Sequence, residues 1–163
     1  MTETRTLPVS PLTAAAFAPF GVVIEPKPDG APFSAEESVL DVSGGTPRFY
    51  IMSLEDKPAT FTGITRHRRT TQTLLGVGGG EWLLAVAPPT ADDTPPAIDE
   101  IRAFRIPGGS AVTLRKGTWH SGPFFAAPTM DFANLELSDT NVVDHDTYRL
   151  DRELGLRFAL DVD

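Results

Sequence analysis

Fifteen prolines and fourteen glycines punctuate the 163 residues from end to end. Proline removes a backbone donor and breaks a helix interior, and glycine weakens one. A bundle of long helices is therefore excluded, and the pattern suits an all-β domain of short strands. The length fits one domain, read as residues 1–163. Hydrophobic residues make up 40% of the chain, enough for a core and too many for disorder.

Partners are narrowed by charge. Fourteen basic residues against 22 acidic ones leave a net charge of −8, which offers a phosphate backbone or an anionic membrane no foothold. With no cysteine, disulfides, zinc fingers and thiol nucleophiles are out of reach. The longest nearly apolar stretch, Ala14 to Ile24, contains Pro19 and Gly21 and is too short to span a membrane. It has no basic segment before it, so a cytoplasmic protein is expected.

Residues 10–20 read as a short N-terminal helix capped by Thr13 and stopped by Pro19 and Gly21, with a strand at 22–24. Residues 26–46 have no sustained period and read as a long loop. Strands are expected at 49–54, 60–67, 71–77, 81–87, 101–106, 110–116, 131–137 and 141–150, with a helix or strand in the tail. Gly78-Gly79-Gly80 and Pro107-Gly108-Gly109 read as hairpin tips. Ala133, Leu135 and Leu137 share one strand face, with Phe132, Asn134 and Glu136 on the other. If the strand from 110 stays regular through Gly117, then Val112, Leu114, Lys116, Thr118 and His120 share a face that opens into a polar pocket.

Gly109, Arg115, Gly117 and His120 reproduce the spacing of the second cupin motif, and His67, Gln72 and Gly79 the end of the first. Thr65 and Gln72 stand where that motif has a histidine and a glutamate. This resemblance implies a cupin-like antiparallel jelly-roll barrel in which His67, Gln72 and His120 converge. Two imidazoles and a neutral amide oxygen would hold a divalent transition metal weakly, with positions open for a chelating substrate.

The segments ITRHRRTTQTLLGVGGGEWLLAVAPP, IRAFRI, RKGTWHSGPFF and DFANLEL, in that order, resemble the ureidoglycolate lyase family, and LTAAAFAPFGVVIE resembles its start. The resemblance implies cleavage of ureidoglycolate to glyoxylate and urea, in the breakdown of purine ureides. His67 and His120 would move the protons, Glu136 is a further candidate base, and Lys116 or Arg66 would hold the substrate carboxylate. Gln72 and Trp119 complete the expected substrate contacts. The family commonly follows Trp-His with a second histidine, where this chain has Ser121. The competing reading is a cupin-fold module that binds small acids, or regulates, without catalysis.

Asp144-His145-Asp146 suggests a metal cluster, but adjacent strand residues face opposite ways, so all three cannot converge. The resemblance also implies a homodimer, for which Phe124-Phe125 and Phe49-Tyr50 are candidate interface aromatics.

Overall fold

A computed structural model describes all 163 residues. It contains thirteen strands where roughly eight were expected. In chain order they are β1 (Glu3–Pro11), β2 (Gly21–Ile24), β3 (Pro47–Glu55), β4 (Thr60–Phe61), β5 (Gly63–Arg66), β6 (Gln72–Gly76) and β7 (Trp82–Ala87). Then come β8 (Arg102–Ile106), β9 (Ala111–Leu114), β10 (Trp119–Phe124), β11 (Thr129–Leu137), β12 (Asp146–Arg149) and β13 (Leu156–Asp161). Three helices, α1 (Ala14–Phe17), α2 (Thr140–Val143) and α3 (Leu150–Leu154), are each about one turn. None is long and apolar enough to cross a membrane. The expected N-terminal helix is thus reduced to α1, though Thr13 does cap it, accepting from the Ala16 N–H at 3.1 Å.

The strands form two sheets, of eight (β12-β5-β10-β7-β8-β1-β13-β4) and of five (β2-β9-β6-β11-β3). This is the all-β architecture of short strands that the sequence implied. Pairing is antiparallel except at β1, which runs parallel to both β8 and β13. From β6 to β11 the chain repeatedly changes sheet, and only β7 and β8 are successive neighbours. The two glycine turns are therefore sheet crossings rather than hairpins, and the Pro/Asp loop after β7 closes the true hairpin. The crossings touch: a Cβ on Gly108 would lie 2.0 Å from the Gly79 carbonyl oxygen.

β7, Trp-Leu-Leu-Ala-Val-Ala, is buried on both faces, which is why it reads as a continuous apolar run. Trp82, Leu84 and Val86 meet Leu74, Val112 and Phe132 in the core between the sheets. Leu83, Ala85 and Ala87 face a second core, completed by Trp119, Leu150, Leu156 and Phe158. Phe124 and Phe125, expected at an interface, are buried, one in each core. Phe49, by contrast, is 71% exposed.

The face shared by Lys116 and His120 does not form. β9 ends at Leu114, Gly117 takes φ +81° in a turn, and β10 begins in the other sheet. A reversal of the chain between two residues cancels the period-two rule that related them.

Candidate functional site

Strand alternation delivers one group of polar side chains to the barrel interior. His67 lies just beyond β5, Gln72 opens β6, His120 sits in β10 opposite Thr65, and Asn134 and Glu136 share one face of β11 with Phe132. Together with Tyr50 they line a cavity of about 150 Å³. Drug-sized ligands need roughly 300 Å³ or more, so this one suits a small acid. It adjoins an outer cavity of about 440 Å³, and the two share His120, Gly122, His145 and Lys57. The expected convergence of His67, Gln72 and His120 is present.

The strand face carrying Asn134 and Glu136 is the inside of the barrel: both are 1% exposed. Their hydrogen bonds form a directed network. Asn134 Nδ2 donates to the Tyr50 hydroxyl at 3.2 Å, and that hydroxyl donates to Glu136 Oε1 at 3.2 Å. Gln72 Nε2 donates to Asn134 Oδ1 at 3.2 Å and to Glu136 Oε2 at 3.5 Å. Gln72 Oε1 is buried with no partner. Burial raises the Glu136 carboxyl above its ordinary value, opposed by the Tyr50 hydrogen bond.

The His67 and His120 rings are 5.0 Å apart. His67 Nδ1 lies 2.6 Å from the Asp144 carbonyl oxygen. A carbonyl only accepts, so Nδ1 carries the proton and Nε2 keeps its lone pair. Burial lowers the His67 imidazole from its ordinary 6.5. His120 falls further, to about 3, through burial first and the neighbouring His67 second. Both rings are neutral near pH 7, ready to accept a proton.

His145, set aside on sequence grounds, stands with its ring 5.7 Å from His67. Its flanking aspartates turn away, as alternation required. Asp146 pairs with Arg66 at 2.8 Å, and the Asp144 carboxylate accepts the backbone N–H groups of Arg68 and Arg69. The signal was present in charge: Arg66-His67-Arg68 set antiparallel against Asp144-His145-Asp146 matches each arginine position with an aspartate and His67 with His145. The observed pairing of Asp146 with Arg66 is that register.

Three expected site residues lie elsewhere. Arg66 is 2% exposed, bonded to Asp146 and the Thr90 carbonyl, with its guanidinium 4.4 Å above the Trp119 ring. Trp119, 2% exposed, donates its indole N–H to the Thr90 hydroxyl. Both belong to a separate polar pocket that shares only His145 with the cleft. The reason is alternation again: Arg66 follows Thr65 and Trp119 precedes His120, so each faces away. Lys116 pairs with Asp41 at 2.6 Å and holds that carboxyl down to about 2.

No group of three His, Asp or Glu side chains has the geometry to hold a metal ion. Gln72 offers only an amide oxygen, and Glu136 is engaged by Tyr50 and Gln72. Two imidazoles and one amide oxygen would therefore hold a divalent cation only weakly.

A family model described as ureidoglycolate lyase matches residues 4–156. A ureidoglycolate lyase of Pseudomonas fluorescens (strain Pf0-1) is 30% identical over 172 residues, covering 93% of this chain and 97% of that one. One from Pseudomonas putida (strain W619) is 33% identical over 135 residues, covering 71% and 75%. Among solved structures, Bacillus subtilis oxalate decarboxylase aligns over 66% of this chain and 25% of its own, at 15% identity and a TM-score of 0.42.

Proposed function

The chain belongs to the ureidoglycolate lyase family, and on that premise we propose that it cleaves ureidoglycolate to glyoxylate and urea. The observation that carries this reading is the pair of neutral imidazoles facing each other at 5.0 Å in a small polar cleft.

The reaction is the collapse of a carbinolamide. The hydroxyl O–H breaks, its electrons form the C=O of glyoxylate, the C–N bond breaks, and the departing nitrogen takes up a proton to become urea. The hydroxyl proton is thus the one the leaving group needs. A base that is neutral before and after can carry it, acting first as base and then, as imidazolium, as acid. His67 and His120 suit that task, with the Asp144 carbonyl fixing the His67 ring so that Nε2 is the working nitrogen. Glu136 lines the same cavity. Pairing with Asp41 and Asp146 removes Lys116 and Arg66 as carboxylate anchors. The enzyme would serve nitrogen recovery from purine ureides in the cytoplasm.

The test is glyoxylate release from ureidoglycolate by the purified protein. Saturable turnover is expected, and His67→Ala and His120→Ala should each lower kcat about a hundredfold or more while circular dichroism stays unchanged. Thermal stabilisation by small acids without turnover would replace this reading with the binding-module one.

The reading includes a homodimer. In its support, Phe49, Ile51 and Leu75 stand exposed on the outer face of the five-stranded sheet, and β3 leaves that sheet's edge open. Ile51, Ala133 and Leu75 are register partners across three strands, which makes the apolar row continuous.

A further inference from the structure

With Lys116 and Arg66 committed elsewhere, the cleft needs another cation for a carboxylate. Lys57 is the one Lys or Arg that lines either cavity around His120, and it lines both. No carboxylate of the chain lies within ion-pair distance of its ammonium. Its backbone is held in place, since its carbonyl accepts the Phe125 N–H at 3.2 Å and the Asp56 N–H bonds to the Pro128 carbonyl at 3.1 Å. Lys57 thus stands without an ion-pair partner on a fixed loop where the two cavities meet.

The floor has the opposite character. Asn134, Tyr50 and Gln72 direct their donors at one another and at Glu136. This network also fixes the Gln72 amide orientation: reversed, its oxygen would face Asn134 Oδ1 and the Glu136 carboxylate, two acceptors. The one acceptor of this network left without a donor is Gln72 Oε1, in a side chain 7% exposed that lines the cleft. A buried acceptor without a donor destabilises the site, and a ligand N–H would relieve that cost.

We propose that the cleft fixes the direction of its ligand, with Lys57 binding the carboxylate at the mouth and Gln72 Oε1 accepting an N–H of the ureido end at the floor. The assignment rests on the lyase reading for the identity of that ligand. The carbon that bears the hydroxyl then lies between the two ends, beside His67 and His120.

Calorimetry with three uncleavable probes tests it: N-carbamoylglycine, its primary amide, and N-acetylglycine. N-carbamoylglycine should bind wild type most tightly. Lys57→Met should weaken it about five- to tenfold, the range of a partly exposed charge-assisted hydrogen bond, and leave the amide unchanged. Gln72→Met should erase the preference for the carbamoyl over the acetyl end, which Lys57→Met should retain. An unchanged ratio of acid to amide in Lys57→Met overturns the proposal, as does an unchanged carbamoyl preference in Gln72→Met or a wild type that binds none of the probes. Lys57 is exposed, so its arm decides the matter even if Gln72→Met fails to fold. If the binding pattern holds but wild type leaves ureidoglycolate intact, the lyase reading falls and the ligand direction stands.

Discussion

His120 shares its cleft with His67 and His145, and its imidazole is held down to about 3 by burial and by His67. An unfolded histidine protonates near 6.5. Between those values the unfolded chain binds a proton that the folded chain refuses, so stability falls as pH falls from about 6.5. His120→Gln removes that contribution, and its melting temperature should drop less than wild type's between pH 7 and pH 5. Rate follows the same direction. The working imidazole must be neutral, so kcat/KM should hold below pH 6.5 and its acid limb should lie under that value. A limb at or above it would remove His67 and His120 as the base. Two imidazoles and one amide oxygen hold a divalent cation weakly, so dialysis against EDTA should strip any bound metal and metal analysis should then find well under one equivalent.

Elements placed the site through alternation, and they also limit what the sequence discloses. Gly79 and Gly108 meet where two crossings pass between sheets. Gly108→Ala would drive a Cβ to 2.0 Å from the Gly79 carbonyl oxygen, and about 2 kcal/mol or more of stability should be lost. Gly79→Ala meets open space and only the strain of φ +81°, at about 1 kcal/mol. Denaturant midpoints should rank the two in that order. The cupin spacing made the meeting of His67, Gln72 and His120 legible, because spacing along paired strands survives the details of the turns. Lys116 was misplaced because nothing local announces that a strand changes sheet at Gly117. Arg66 and Trp119 face the neighbouring pocket instead, as strand alternation from Thr65 and His120 implies. β1 escaped notice altogether: Glu-Thr-Arg-Thr-Leu-Pro-Val-Ser-Pro carries two prolines and only Leu7 and Val9 as apolar residues.

At the scale of the whole molecule, the outer face of the five-stranded sheet is left uncovered. An exposed row of Phe49, Ile51 and Leu75 on a sheet with an open edge is a surface that proteins usually cover. Light scattering at micromolar concentration should return twice the 17.6 kDa chain mass, and Ile51→Lys should return the single mass with the far-ultraviolet spectrum intact. A monomeric wild type would end the homodimer reading.

The parallel seat of β1 between β8 and β13 has a consequence for the nascent chain. Glu3 to Pro8 pair only with Leu156 to Asp161, so β1 waits until β13 has been made. At typical translation speeds that wait is roughly 8 to 30 s. A sticky segment would aggregate in that interval. Arg5, the threonines and the two prolines that hid β1 from a hydrophobicity reading are the residues that keep it soluble until its partner arrives.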